Sequence, residues 1–115
     1  MTRIGFPALA IAAIVLAGCT KTQIAVKNES TKASKIKVRP LSNDATKEID
    51  FGEVAVGAQT AFVVVADRGW TDADQSGANL NATDGAENGS VILDPKAKNV
   101  IRVFPDGTEP IASKP

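Results

Sequence analysis

The chain has no histidine and no tyrosine, and it has one cysteine, one tryptophan and one methionine among its 115 residues. Without histidine there is no imidazole general base and no imidazole-based zinc site, and a single cysteine excludes an intrachain disulfide. Carboxylate pairs remain as an acid–base option, but Glu48/Asp50 and Asp72/Asp74 have the context of solvated surface charges. We therefore expect a protein that is not an enzyme and that needs no cofactor.

A large net charge of either sign is also missing, because 13 basic side chains balance 13 acidic ones. A basic surface for nucleic acid is therefore not expected, and we predict no nucleic-acid partner. The charges are nevertheless segregated, with a local excess of five positive charges over residues 20–47 and of eight negative charges over residues 48–94. Two interpretations remain open: a dipolar but soluble surface, or a basic part that faces anionic lipid headgroups.

The longest apolar run covers only the 13 residues 4–16, interrupted by Gly5 and Pro7. A helix that crosses a bilayer needs about 20 residues, so this run is too short to span one. Arg3 precedes it and small residues follow it, which is the pattern of a secretory signal peptide. We therefore predict a signal-peptide helix over residues 1–18 that is removed from the mature chain, leaving 97 residues.

The run ends in Leu16, Ala17, Gly18 and Cys19, which resemble the lipobox of bacterial lipoproteins: an aliphatic residue, two small residues and a cysteine. The resemblance implies that Leu16, Ala17 and Gly18 are recognised by the lipoprotein signal peptidase. It also implies that the Cys19 thiol receives diacylglycerol and that the new amino group receives a fatty acyl chain such as palmitate. The alternatives are an ordinary secretory signal and a retained membrane anchor.

Thr20 follows the cysteine, where an aspartate tends to hold enterobacterial lipoproteins in the inner membrane. The resemblance therefore implies a lipid anchor in the bacterial cell envelope, most simply in the outer membrane on its periplasmic side. The expected partner of Cys19 is thus the membrane. Since the first strand-like pattern begins at Gln23, residues 19–22 form only a short tether, and the domain should lie close to the bilayer.

Apolar and polar side chains alternate in short segments along the mature chain, which is typical of strands. The predicted strands are residues 23–28, 35–41, 47–51 with Val54 and Val56 continuing, 60–66, 90–93 and 99–104. Residues 60–66 are apolar on both faces, which predicts a central strand. Residues 105–115 hold three prolines and few apolar side chains, which predicts a flexible tail.

This pattern predicts an all-β domain over residues 23–104, with about six or seven strands. We expect a small antiparallel Greek-key β-sandwich of the immunoglobulin-like kind, with a small β-barrel as the alternative. Two segments, Ile24-x-Val26-x-Asn28 and residues 51–57 leading into residues 60–65, resemble small periplasmic β-sandwich modules. Such segments occur in DUF4397-type domains and in the alginate O-acetylation accessory protein. The resemblance implies the fold only and transfers no site residues.

Residues 67–89 are rich in Gly, Asn, Asp, Ser and Thr, and we predict an irregular loop there. Within it Asp72, Asp74 and Ser76 resemble the first half of a calcium loop. The twelfth position of that pattern is Thr83 rather than glutamate, and no helices flank it, so a polar surface loop without a metal is favoured. Trp70 lies at the loop entrance, where it either caps the core or serves as an exposed anchor for a sugar or a protein.

Taken together, the sequence predicts a non-catalytic cell-envelope lipoprotein. Its membrane-anchored β-sandwich would act as a structural, adaptor or binding module for another envelope protein or a polymer. The alternative is a calcium- or saccharide-binding module that uses the loop of residues 67–89, with Trp70, Asp72, Asp74 and Ser76 as its candidate residues.

Overall fold

The computed structural model describes residues 21–115. The predicted signal-peptide helix, the recognition residues Leu16, Ala17 and Gly18, and the lipidation residue Cys19 lie outside these described residues. Within them, no helix is both long and apolar enough to cross a bilayer.

The described residues form eight strands and three short 3₁₀ turns. The strands are β1 (Gln23–Asn28), β2 (Ser34–Pro40), β3 (Ile49–Val54), β4 (Val63–Val64), β5 (Gly77–Ala82), β6 (Gly89–Ile92), β7 (Lys98–Val103) and β8 (Ile111–Ser113). The 3₁₀ turns are Ala45–Lys47, Val65–Arg68 and Ala73–Ser76.

The strands make two sheets of four. The first sheet has the order β4-β1-β7-β8 and the second has the order β3-β2-β5-β6. All strand pairs are antiparallel except β1 and β7, which run parallel at the centre of the first sheet. The predicted all-β sandwich is therefore confirmed, with one parallel pair that a purely antiparallel arrangement does not contain.

The core lies between the two sheets and is built from the inward positions of the alternating strands. Its largest fully buried apolar side chains are Ile24, Ile36, Ile49, Ile101, Val26, Val38, Val65 and Val103. Burial of each such side chain stabilises the fold by about 1.5–3 kcal/mol. Because these residues are aliphatic and branched, they suit the pleated surface of a sheet.

The prediction of a central strand over residues 60–66 was wrong. Only Val63 and Val64 form a strand there, and β4 lies at the edge of the first sheet. The segment is apolar on both sides for a different reason: Val63 packs against the core, whereas the Phe62 ring lies 5.2 Å beneath the Lys98 ammonium group on the outer face.

The prediction of an irregular loop over residues 67–89 was wrong for its second half. Strand β5 lies in the middle of the second sheet, between β2 and β6. Its Ala78, Leu80 and Ala82 are buried, while Asn79 and Asn81 face outward. Alternation is therefore present in the sequence, but alanine and asparagine have low strand propensity and conceal it.

The prediction of a flexible tail over residues 105–115 was also wrong. Residues Ile111–Ser113 form β8, an edge strand that pairs with β7 in the first sheet. Ala112 packs against the core, and Pro105 forms an isolated bridge with Ala86. The folded domain therefore extends through the segment that the prolines suggested was loose.

Candidate functional site

The outer face of the second sheet carries charged side chains on β2 and just before β3. Lys37 lies opposite Asp50 in the strand register, and the Arg39 Nε donates a hydrogen bond to Glu48 Oε1 at 2.9 Å. The Lys37 ammonium group is also 4.0 Å from Glu48 Oε2. Because each cation has an acid as its neighbour, this half of the face holds fixed, paired charges rather than a field of one sign.

The other half of the same face carries amides. The Ser90 hydroxyl donates to Asn79 Oδ1 at 2.6 Å, and Asn79 Nδ2 donates to the carbonyl oxygens of Pro40 and Leu41, each at 3.4 Å. Asn88 Oδ1 accepts a hydrogen bond from the Ala82 amide at 2.7 Å, which holds the turn before β6. These bonds fix the amides in place, so their remaining donors and acceptors are pre-positioned.

The charged half and the amide half enclose an open groove with a volume of about 550 Å³, and we refer to it as the amide groove. Its wall residues include Lys37, Arg39, Asn79, Asn81, Asn88 and Ser90. This volume is within the range of small-molecule sites, although such sites are usually more apolar. The groove can offer hydrogen bonds to hydroxyl groups from its amides and from its paired charges.

An exposed isoleucine extends this surface. Ile92 is 86% exposed and lies two residues beyond Ser90 on β6, opposite Gly77. A β-carbon at Gly77 would lie only 2.9 Å from the Val91 carbonyl oxygen, so the glycine permits close packing there. The face therefore ends in an apolar side chain next to its polar groove.

Trp70, one of the predicted binding-loop residues, is buried and lies away from the amide groove. It is 3% exposed and belongs to the core cluster, and its Nε1 donates to the Lys47 carbonyl oxygen at 2.8 Å. Of the two predicted roles, the structure supports capping of the core, because a buried indole is not available as a surface anchor.

Asp74 takes part in an internal ion pair. Its Oδ2 accepts hydrogen bonds from the Lys47 ammonium group at 2.7 Å and from the Thr71 amide at 2.8 Å. The hydrogen bond from Lys47 lowers the pKa of Asp74, and the same bond raises the pKa of Lys47. The carboxylate is thus engaged by a side chain of this domain.

The other two predicted loop residues do not join Asp74 in a site. Asp72 is exposed, and the Ser76 hydroxyl donates to the Ala73 carbonyl oxygen at 3.4 Å. Among residues 21–115 there is no cluster of three or more acidic, histidine or cysteine side chains suited to a metal ion. The structure therefore does not gather Trp70, Asp72, Asp74 and Ser76 into one exposed binding site, because Trp70 is buried and Asp74 is paired with Lys47.

The amide groove was not predicted from the sequence, because Asn79, Asn81 and Asn88 lie in the segment for which an irregular loop was predicted. The available signal was the alternation of Asn79 and Asn81 with three small or aliphatic residues. The sequence predicted the cationic face of β2. It did not predict β5, the strand that pairs with β2 and carries Asn79 and Asn81.

Comparison with known proteins gives no family assignment. No protein-family model matches the chain, and no curated protein matches it. Among solved structures, the chain is similar to one described as the NMR structure of a protein from Eubacterium rectale, with 13% sequence identity and a TM-score of 0.44. That match covers all of this chain and 95% of the other.

Proposed function

We propose that the chain is a non-catalytic lipoprotein of the bacterial cell envelope, anchored through Cys19, whose β-sandwich acts as a binding module. The observation that carries this proposal is the order of features at the amino terminus: Arg3, a 13-residue apolar run, and then Leu16, Ala17, Gly18 and Cys19. An apolar segment of that length is typical of a signal peptide rather than of a spanning helix.

The position of Thr22 supports a short anchor. Thr22 is 2% exposed, its hydroxyl donates to Gln75 Oε1 at 2.7 Å and accepts from the Lys96 amide at 2.7 Å, and its carbonyl oxygen accepts from the Val65 amide at 3.2 Å. The folded domain thus begins three residues after Cys19. Three residues span about 11 Å at full extension, so a lipid on Cys19 would hold the domain against the bilayer.

Cell fractionation tests the anchor. In a diderm bacterium, the wild-type chain should be found in the membrane fraction and should be released by detergent but not by high salt. The variant Cys19→Ser should lose this association, whereas the neighbouring control Thr20→Ser should keep it. A Cys19→Ser chain that partitions like the wild type would contradict the proposal.

The amide groove is the proposed binding surface, and a saccharide is the second candidate function that it favours. Asparagine amides offer both donors and acceptors to hydroxyl groups, and the ion pairs of Lys37 and Arg39 with Glu48 place charged donors and acceptors beside them. The exposed side chain of Asn81 lines this surface and lies opposite Lys37 in the strand register. An envelope polymer rich in hydroxyl groups would satisfy both halves of the groove.

A glycan panel that includes acidic envelope polysaccharides tests this ligand class. Replacing Asn81 by alanine should weaken binding about two- to tenfold, the effect of one net hydrogen bond. Lys35→Ala is the matched control, because Lys35 is exposed on the same face of β2 but does not line the groove. Absence of binding to every glycan would remove the saccharide candidate and leave a protein partner, which cross-linking in membranes would identify.

A further inference from the structure

The outer face of the first sheet is a second surface, on the opposite side of the sandwich from the amide groove. Its outward positions include Lys27 on β1 and Arg102 on β7, which are opposite each other in the strand register, and Lys98 at the start of β7, opposite Gln23. The acid beside them, Glu29, is already paired: Arg102 Nη2 donates to Glu29 Oε1 at 3.0 Å. This hydrogen bond lowers the pKa of Glu29, so the carboxylate stays ionised and paired with Arg102.

A further cation lies at the margin of this face. Lys114 lines a shallow depression of about 260 Å³ together with Lys27 and Arg102. The four strands of the first sheet thus contain three cations and no acidic residue, with Glu29 directly after β1 and Lys114 directly after β8. The outer face of the second sheet is balanced by comparison, with the cations Lys35, Lys37 and Arg39 against the acids Glu48, Asp50 and Glu53.

Aromatic rings lie beneath two of these cations. The Lys98 Nζ is 5.2 Å from the centre of the Phe62 ring, and the Arg102 Cζ is 5.3 Å from the centre of the Phe104 ring. Ile111, at the start of β8 and opposite Arg102, is 45% exposed. Cations held over apolar rings, with their charged ends in water, suit the boundary between lipid headgroups and acyl chains.

We infer that this face, defined by Lys27, Lys98, Arg102, Phe62 and Phe104, docks on anionic lipid headgroups of the membrane that holds the chain. The inference rests on the proposed anchor at Cys19, because Thr22 is fixed in the fold and Gln23 belongs to β1 of the same sheet. The short tether leaves the domain within reach of the headgroups, and of the two outer sheet faces only this one has an excess of positive charge.

The docked orientation has a consequence for the groove. Since the two outer faces of a sandwich point in opposite directions, contact of the first sheet with lipid directs the amide groove away from the membrane. The domain then presents Asn81 and Ile92 to the space that an envelope polymer or protein occupies.

Lysine acetylation of the lipidated mature chain, residues 19–115, in vesicles tests the orientation, with modification of each lysine measured by mass spectrometry. Two vesicle types are used, phosphatidylcholine alone and phosphatidylcholine mixed with phosphatidylglycerol. Lys27 and Lys98 should react about fivefold more slowly in the anionic vesicles. Contact of one lysine with an anionic surface raises the equilibrium constant for the docked state by about that factor. Lys35 and Lys37, on the opposite face, are internal controls and should react at the same rate in both. High salt should abolish the difference.

A double variant makes the test specific. In Lys27→Gln/Lys98→Gln, the protection of Lys114 by anionic vesicles should disappear, whereas in the control Lys35→Gln/Lys37→Gln it should persist. Equal rates in both vesicle types, or protection of Lys35 and Lys37 instead, would overturn the inference. Protection by soluble polyglutamate but not by vesicles would also overturn it and point to an acidic protein.

Failure of the docking face can be distinguished from failure of the lipid anchor at Cys19. If Cys19 carries no lipid, the chain fails to stay with neutral vesicles, and its intact mass shows the reason. If Cys19 is lipidated but the lysine rates do not respond to anionic lipid, the anchor stands and the docking face fails.

Discussion

The Trp70 indole donates a hydrogen bond to the Lys47 carbonyl oxygen at 2.8 Å, and the Lys47 ammonium group binds the Asp74 carboxylate at 2.7 Å. Lys47 therefore holds the segment around residues 70–74 from both its backbone and its side chain. Two 3₁₀ turns, Ala45–Lys47 and Ala73–Ser76, are joined in this way. Although residues 67–76 are mostly polar, the hydrogen bonds to Lys47 hold this segment in a defined structure at the edge of the core.

The first prediction concerns this indole. Trp70→Phe should lower the free energy of unfolding by about 1–2 kcal/mol, because it leaves the Lys47 carbonyl oxygen without its donor and reduces the buried volume. Trp70→Ala should lower it by about 3–5 kcal/mol. Urea unfolding followed by circular dichroism measures both. Val56→Ala, at a position that is 54% exposed, should stay within about 0.5 kcal/mol of the wild type; a similarly small effect at Trp70 would contradict its place in the core.

The second prediction concerns acid stability. The folded-state pKa of Asp74 lies below its ordinary value of 3.8, because of its hydrogen bonds from Lys47 and Thr71. Its contribution to stability is therefore present above that ordinary value and is lost as the pH falls through the lowered one. Asp74→Asn should be less stable than the wild type at neutral pH and should lose less stability on acidification. The control Asp72→Asn removes the same charge from an exposed side chain and should follow the wild-type pH curve; identical curves for all three chains would refute the role of the pair.

The third prediction concerns Asn28, which is fully buried. Its Nδ2 donates to the carbonyl oxygens of Lys32 and Val54, both at 2.8 Å, and its Oδ1 accepts from the Ser30 amide and hydroxyl. An aspartate cannot donate when ionised, so Asn28→Asp should cost about 3 kcal/mol or more at neutral pH.

Protonation should restore part of the stability of Asn28→Asp, because a carboxylic acid can donate one hydrogen bond. Thermal unfolding at several pH values measures this. The control Asn43→Asp changes an exposed turn residue at φ 62°, a conformation that aspartate tolerates, and should have little effect. Equal melting temperatures for the two variants would show that the Asn28 bonds are not as described.

The fourth prediction concerns the carboxyl-terminal strand. A chain that stops after Pro110 lacks β8, which pairs with β7 at Val100, Ile101 and Arg102. Loss of these backbone hydrogen bonds and of the Ala112 packing should lower the free energy of unfolding by about 2 kcal/mol or more. Removal of residues 114–115 alone should have a much smaller effect. If the truncated chain had the same free energy of unfolding as the full chain, β8 would not contribute to the fold, and a flexible tail would be the correct description of residues 105–115.

Much of the sandwich was predictable, because β1, β2, β3 and β7 each carry branched apolar residues two positions apart or at their ends, with polar or charged residues among them. The predicted bounds of β1, residues 23–28, coincide with those observed, and Ile24 and Val26 face the core. Its neighbours were not predictable. The parallel pairing of β1 with β7 depends on contacts between strands far apart in sequence, and alternation within a strand does not specify its partner.

The candidate site was less predictable than the fold. Asp72, Asp74 and Ser76 have the spacing of a calcium loop, but spacing does not reveal that Lys47, 27 residues before Asp74, occupies its carboxylate. The amide groove was hidden because β5 is made of residues that favour loops when they are judged one at a time. It forms a strand because it pairs with β2 on one side and β6 on the other, and because Ala78, Leu80 and Ala82 bury one of its faces in the core.

The intact mass of the protein purified from bacterial membranes tests the central claim, which is anchoring through Cys19. The proposal predicts a chain that begins at Cys19, lacks residues 1–18 and carries the added mass of diacylglycerol and, where the amino group is acylated, of one further fatty acyl chain. A chain that retains residues 1–18, or one with an unmodified Cys19 thiol, would contradict it.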